Sequence, residues 1–236
     1  MFRKIRANIP NTITCLNLLC GATACIFTFS YDLRIGGLYG YEWVWIFIGA
    51  AALFDFFDGA AARLLHAYSD LGKELDSLSD LISFGLAPSL LMFNLFTLNH
   101  GGELCWWNFT ALLIAVFGAL RLARFNIDNS QQTTFRGLPI PANAIFWIGF
   151  TAWTAHYGYP GNWITLAFIV VVSLMMMSPM EMFSLKFKNF GMAENLRRYL
   201  LIGAAVILFL TTGIPGLGWS VVLYVVMSAF TSRTKS

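Results

Sequence analysis

Charge is what this chain has least of. Asp, Glu, Lys and Arg make up 11% of its residues, where a soluble domain carries roughly a quarter. That shortage, set against 58% hydrophobic residues, excludes water as the main solvent of the folded chain. A cysteine-built framework is excluded too. Cys15, Cys20, Cys25 and Cys105 stand within or at the edge of apolar stretches, with neither paired metal-ligand spacing nor the pattern of a disulfide-stapled secreted domain. They read as packing or lipid-facing residues. Internal repeats and low-complexity tracts are missing as well, and the longest polar interruptions are Asp128–Arg136 and Glu181–Arg198. Residues 1–236 are therefore expected to form one domain, without a nucleic-acid partner.

Long apolar runs are present instead, at about Thr12–Phe29, Trp43–Leu65, Leu75–Leu98, Trp106–Leu122, Ile140–Ala155, Trp163–Met177, Tyr199–Thr212 and Trp219–Phe230. Spans of about 20 such residues cross a hydrocarbon core. The expected fold is all-α, a polytopic integral membrane helical bundle of about eight transmembrane helices. The last two runs are short and joined through Gly213, Ile214, Pro215 and Gly216, which reads as a helical hairpin. The basic N-terminus imitates a signal peptide, but the many spans that follow favour a retained first helix. Ahead of it, Phe2, Ile5 and Ile9 fall at helical spacing opposite Arg3, Lys4 and Arg6. That is a short N-terminal amphipathic segment suited to an anionic membrane surface, interrupted by Pro10; a frayed basic end fits the same residues.

Alternate threading of the runs puts Arg3, Lys4, Arg6, Arg63, Lys73, Arg121, Arg124, Arg136, Lys186, Lys188, Arg197, Arg198, Arg233 and Lys235 on one side, and only Arg34 on the other. Because cytoplasmic loops carry the excess of Lys and Arg, the basic side and both termini are expected at the cytoplasm, in the inner membrane. Trp43, Trp106, Trp107, Trp163 and Trp219 near the opposite ends read as an interfacial belt.

The informative stretch is Asp55-Phe-Phe-Asp58-Gly59-Ala-Ala-Ala62-Arg63, followed after eight residues by Gly72-Lys-Glu-Leu-Asp76-Ser-Leu-Ser-Asp80. An ionised Asp deep in a span costs about 2.5–3.5 kcal/mol on insertion scales, so four together need cations, water or one another. Asp55 and Asp58 are three apart, and Asp76 and Asp80 four apart, so each pair projects from one helix face. Two such faces joined by a tight turn around Ser69 to Lys73 make a cluster of carboxylate oxygens, which suits a hard divalent cation such as Mg²⁺ or Mn²⁺ and a phosphorylated ligand bound with it. Gly59, Ala62 and Gly72 leave a smooth slot beside the acids for a flat base or a pyrophosphate, and Arg63 supplies forked donors. Taken singly, Arg63 also fits a positive-inside anchor and Gly59 a helix-packing glycine. His66, alone at a helix end, reads as interfacial.

The pattern D-x2-D-G-x2-A-R-x8-G-x3-D-x3-D, met here by Asp55, Asp58, Gly59, Ala62, Arg63, Gly72, Asp76 and Asp80, resembles the signature of the CDP-alcohol phosphatidyltransferase family. The resemblance implies that Asp55, Asp58, Asp76 and Asp80 hold one or two divalent metals. It implies that Asp58, Gly59, Ala62, Arg63, Gly72 and Asp76 bind the CDP-lipid, that Asp80 is the catalytic base, and that the protein is a homodimer in the bilayer. Within the family, three stretches are similar to bacterial and archaeal phosphatidylserine synthases: Ile9-Pro10-Asn11-Thr12 through Asn17, Leu18 and Gly21; Arg121-Leu-Ala-Arg124-Phe-Asn126; and Phe135-Arg136-Gly137-Leu138-Pro139-Ile-Pro141.

That similarity implies CDP-diacylglycerol and L-serine as substrates. Arg121, Arg124 and Arg136 are then candidates to grip the serine carboxylate, and Asn126 or Asn11 its ammonium. The same arginines also fit orientation anchors. Asn143 departs from the small apolar residue expected in that subfamily, and Ser178–Lys186 matches its loop only in the second half. Two alternatives stay open: the same chemistry with glycerol 3-phosphate or an inositol phosphate as acceptor, and, from another class, a membrane cation transporter, since acids within the membrane also mark ion pathways.

Overall fold

A computed structural model of the chain describes residues 2–127, 135–183 and 191–233. Lys186, Lys188, Lys235 and most of the polar stretch 128–136 lie outside the described residues, as do the side chains of Arg3, Lys4, Arg6 and Arg233. The described chain is nearly all helical and divides into two compact units, Met1–Leu122 and Ala123–Ser236.

In the first unit, α1 (Phe2–Thr28) packs along α2 (Gly40–Leu65), the two joined by a small antiparallel hairpin of β1 (Arg34–Ile35) and β2 (Leu38–Tyr39). Among the described side chains of α1, those buried are Pro10, Thr14, Asn17, Gly21, Ala24 and Thr28. They recur every three or four positions and so form one stripe. It is a stripe of small and polar residues, while Leu16, Leu19 and Ile26 are exposed. That is the arrangement expected in lipid, where small residues let helices approach closely and the apolar side chains face outward. On α2 the buried stripe is Gly40, Val44, Ile48, Ala51 and Asp58. Pro10 does not interrupt α1: the helix runs through it, and its carbonyl accepts a 3.0 Å hydrogen bond from the Thr14 hydroxyl.

The next span runs unbroken from Asp70 to Asn99. It comprises α3 (Asp70–Asp80), a π-helical stretch Leu81–Leu86, and α4 (Ala87–Asn99). It is 56% buried against 28% for Asn8–Thr28 and 22% for α2, so it is the central element of this unit. The π stretch begins directly after Asp80, and Pro88, which has no N–H to donate, stands two residues past its end, in the first turn of α4. A regular α-helical ladder is thus broken between the acids and the deeper part of the span. The unit closes with α5 (Trp106–Thr110) and most of α6 (Leu112–Ile127).

The second unit holds α7 (Ile140–Tyr157), α8 (Asn162–Met177), α9 (Met192–Thr212) and α10 (Pro215–Arg233), with β3 (Phe135–Arg136) paired antiparallel to β4 (Glu181–Met182). The expected helical hairpin is formed by α9 and α10, which pack on each other after a turn at Gly213, φ +72°. α7 crosses α10 at two glycines, where a Cβ on Gly149 would lie 2.1 Å from the Gly218 nitrogen. Asn143 is fully buried and accepts a 2.9 Å hydrogen bond from the Trp147 indole N–H, which satisfies its carbonyl at a position where an apolar residue was expected.

Every apolar run of the sequence is helical. Five described spans, Asn8–Thr28, Gly40–Leu65, Asp70–Asn99, Trp106–Ile127 and Asn195–Thr212, are long and apolar enough to cross a membrane. Asn162–Met177 and Pro215–Phe230 are shorter apolar helices. Among the described residues, five helices thus meet membrane length and apolarity, where eight spans were expected.

The segment after β3 is seated on the end of α8. Gly137 N–H donates to Met180 O and Leu138 N–H to Met175 O, each at 2.9 Å. Gly137 has φ +74°, and a Cβ there would lie 2.4 Å from Met176 O. Gly137→Ala is therefore expected to lower stability by about 1–3 kcal/mol, read as a lower thermal midpoint in detergent. Gly49→Ala, where a Cβ meets nothing within 4 Å, is expected to be neutral or slightly stabilising.

Candidate active site

The end of α2 carries the first pair of acids on its inward side. After Arg63 the helix stops at His66, which adopts the left-handed conformation at φ 48°. The Ala67 N–H returns to Ala62 O at 3.0 Å and His66 N–H to Arg63 O at 3.3 Å, a capping arrangement that satisfies the orphan carbonyls of a helix end. Three residues later Ser69 caps α3, its hydroxyl accepting from the Gly72 N–H at 3.0 Å. This short connection reverses the chain and lays α3 beside α1, so that the second pair of acids faces the first.

One carboxylate oxygen from each of Asp55, Asp76 and Asp80 lies within 4.8 Å of the other two. Asp58 is buried, and its Oδ2 has no hydrogen-bond partner. Three converging carboxylates repel one another, and a buried, unpaired carboxylate oxygen costs free energy, so the arrangement fits a divalent cation bound by hard oxygen ligands. Asp55, Asp76 and Asp80 are the residues gathered closely enough to share one ion. Asp58 stands one turn beyond Asp55 on α2.

Beside the acids, Gly59 faces open space: a Cβ there would meet nothing closer than Arg63 Nη1 at 3.7 Å. Arg63 is exposed. At Gly72 the space is already used, since a Cβ would lie 2.8 Å from Asn11 Oδ1 and 3.0 Å from Ser69 Oγ. The glycine therefore admits Asn11 from α1, and Asn11 belongs to the slot beside Gly72.

Asp80 has two further neighbours. The Asn17 amide donates to its Oδ1 at 3.4 Å, and Arg121, buried in the second half of α6, lies within electrostatic reach of it. In the second unit, Arg124 Nη1 donates to Met177 O at 3.2 Å. That contact places its positive charge on the carbonyl end of α8, where the helix dipole favours a cation. Arg136 is exposed and stands opposite Glu181 in the register of β3 and β4. Asn126 lies in the last turn of α6.

A family model for CDP-alcohol phosphatidyltransferases matches residues 7–185. The chain belongs to the CDP-alcohol phosphatidyltransferase family. Its relatives include proteins named CDP-diacylglycerol–serine O-phosphatidyltransferase from three organisms. The one from Bacillus subtilis is 44% identical over 135 residues, 56% of this chain and 69% of the relative. The one from Helicobacter pylori is 32% identical over 199 residues, 82% and 77%. The one from Methanocaldococcus jannaschii is 38% identical over 148 residues, 63% and 62%. Membership of a phosphatidyltransferase family sets aside the reading of these acids as an ion pathway.

Asn17 was legible in the sequence only as part of a resemblance, and the π stretch was not legible at all. A signal was nonetheless present, because Thr14, Asn17 and Gly21 in an apolar run already trace one face at spacings of three and four.

Asp76→Asn is expected to weaken Mn²⁺ binding at least about tenfold, measured by electron paramagnetic resonance titration. The thermal midpoint of the metal-free protein should stay the same or rise, because one of three mutually repelling charges is gone.

Proposed function

We propose that this protein transfers the phosphatidyl group of CDP-diacylglycerol to the hydroxyl of L-serine, giving phosphatidylserine and CMP. The observation that carries the reading is the convergence of Asp55, Asp76 and Asp80 beside the open face of Gly59. The names of the relatives support serine as the acceptor.

Asp55, Asp58, Asp76 and Asp80 would hold one or two ions, Mg²⁺ or Mn²⁺, which when bound supply charge stabilisation to the pyrophosphate oxygens. Gly59, Ala62 and Gly72 leave room for the cytidine diphosphate, and Arg63 offers a forked donor to its phosphates. Asp80 accepts the proton of the serine hydroxyl as the oxygen bonds to the phosphorus bearing the lipid, and the bond from that phosphorus to CMP breaks with CMP leaving. Direct displacement needs no covalent enzyme intermediate, and positioning of the two substrates supplies much of the rate. Arg121, near Asp80, takes the serine carboxylate. Arg124 keeps one donor on Met177, and Arg136, Asn126 and Asn11 complete the set of acceptor candidates that substitution must separate.

The family match at residues 7–185 runs across the boundary between the compact units, which supports a single catalytic domain over the whole chain. The one-sided distribution of Lys and Arg supports eight spans in the inner membrane, with the acids and both termini at the cytoplasmic face. A homodimer packed through membrane helices is part of the same reading.

Purified protein with CDP-diacylglycerol, Mn²⁺ or Mg²⁺ and labelled serine is expected to yield labelled phosphatidylserine and stoichiometric CMP. CMP release with glycerol 3-phosphate or an inositol phosphate alone would sink the serine reading. Asp80→Asn should abolish turnover while retaining metal-dependent CDP-lipid binding; surviving turnover means that another group is the base. Arg121→Lys should raise KM for serine roughly tenfold or more, the loss of a charge-assisted hydrogen bond. If Arg124→Lys or Arg136→Lys has that effect and Arg121→Lys does not, the carboxylate is held elsewhere.

A further inference from the structure

Asn17 sits in the middle of an apolar helix, fully buried, where a polar amide is costly unless its groups are satisfied. Both ends of the amide are engaged. Its Nδ2 donates to Asp80 Oδ1 at 3.4 Å, and its Oδ1 accepts from the Ser83 hydroxyl at 2.7 Å. The same hydroxyl lies 3.1 Å from the Asn17 backbone carbonyl. Ser83 is also fully buried and stands within the π-helical stretch that begins immediately after Asp80. One turn earlier the buried Ser79 hydroxyl donates to Thr14 O at 3.3 Å. Two serines, four residues apart, thus tie the Asp80 helix to α1 above and below the carboxylate. Gly21 makes the approach possible, since a Cβ there would lie 2.2 Å from Ser83 Oγ and 2.7 Å from Ser83 Cα.

The chemistry of this chain of contacts is directional. A carboxylate needs a donor, and only the NH₂ end of the amide supplies one. The Ser83 hydroxyl, a donor to the other end, keeps the amide from turning over. We propose that Asn17 and Ser83 form a positioning pair for Asp80. Ser83 locks the Asn17 amide, and the amide holds one carboxylate oxygen of Asp80, so that the other oxygen is presented to the reacting hydroxyl and the metal-binding acids. Asn17 acts through Asp80 and touches no substrate. This inference rests on the reading of Asp80 as the base, and groups of this kind, one step removed from a metal ligand, typically change metal affinity or activity 10–100-fold when removed.

The test is a double-mutant cycle with two readouts: kcat and KM for CMP release with whichever alcohol the protein uses, and Mn²⁺ affinity by electron paramagnetic resonance. Asn17→Ala is expected to lower kcat roughly 10–100-fold and to weaken Mn²⁺ about tenfold, with both KM values little changed. Ser83→Ala should shift the same quantities in the same direction by less. Added to Asn17→Ala, it should cost nothing further, because the contact it supports is already gone.

A raised KM for the acceptor with kcat intact would overturn the proposal, because Asn17 would then bind substrate. Equal Ser83→Ala losses in the two backgrounds would overturn it too, since the hydroxyl would then act on packing alone. Should Asn17→Ala fail to fold, Ser83→Ala, which removes one oxygen, decides the matter: unchanged kcat and Mn²⁺ affinity there refute the pair. Full turnover in Asp80→Asn, alongside weakened Mn²⁺ binding in Asn17→Ala, would remove Asp80 as base and leave its positioning intact.

Discussion

Four aspartates in the ends of two membrane-length helices impose the condition that the first unit satisfies. An ionised carboxylate at membrane depth costs about 2.5–3.5 kcal/mol on insertion scales, and several side by side add mutual repulsion. Such a cluster persists only where cations, fixed donors and close packing meet it together. The inward stripe of α1 supplies two of these. Its small residues let the helix come close, and Asn17 within it and the half-buried Asn11 at its edge arrive at Asp80 and Gly72 with the right atoms. The lipid-facing side of the same helix is ordinary hydrocarbon. Helix α1 is therefore an inside-out helix, with function and packing on one face and solvation on the other.

The change of helical geometry after Asp80 has a related logic. The acids end α3 and the deeper apolar part of the span begins with α4; between them the π stretch departs from the regular ladder, and Pro88 follows in the first turn of α4. The serines on either side of Asp80 give their hydroxyls to α1, Ser79 to the Thr14 carbonyl and Ser83 to the Asn17 amide oxygen, so the irregular turn is tied to its neighbour. Irregular backbone at membrane depth is tolerated where it is buried in protein, and Ser83, Phe84 and Gly85 are all buried.

In the second unit, the residues that suggested an acceptor site turn out to have local duties as well. Arg124 sits on the carbonyl end of α8, and Gly137 is required by its positive φ and by the backbone of Met176 against it. A motif shared with phosphatidylserine synthases thus contains positions held by backbone geometry, and these say nothing directly about the alcohol. Arg121 differs, since its charge is felt at the Asp80 carboxylate.

The sequence by itself determined the helical membrane class, the family and the identity of the acids. Hydropathy, charge scarcity and an eight-position motif are written in the order of residues and do not depend on which helix meets which. Spacing alone paired Asp55 with Asp58 and Asp76 with Asp80, because three or four residues make one helix face. The tertiary structure drew the closest trio differently, from Asp55, Asp76 and Asp80, because the approach of two helices is set by their packing. It also decided that Asn11 lies at Gly72, that Asn17 and Ser83 meet Asp80 through a π turn, and that Pro10 rides within α1. A side chain 63 residues away in sequence becomes a hydrogen-bond partner only because Gly21 allows two backbones to touch, and no periodicity along a single strand of sequence carries that distance.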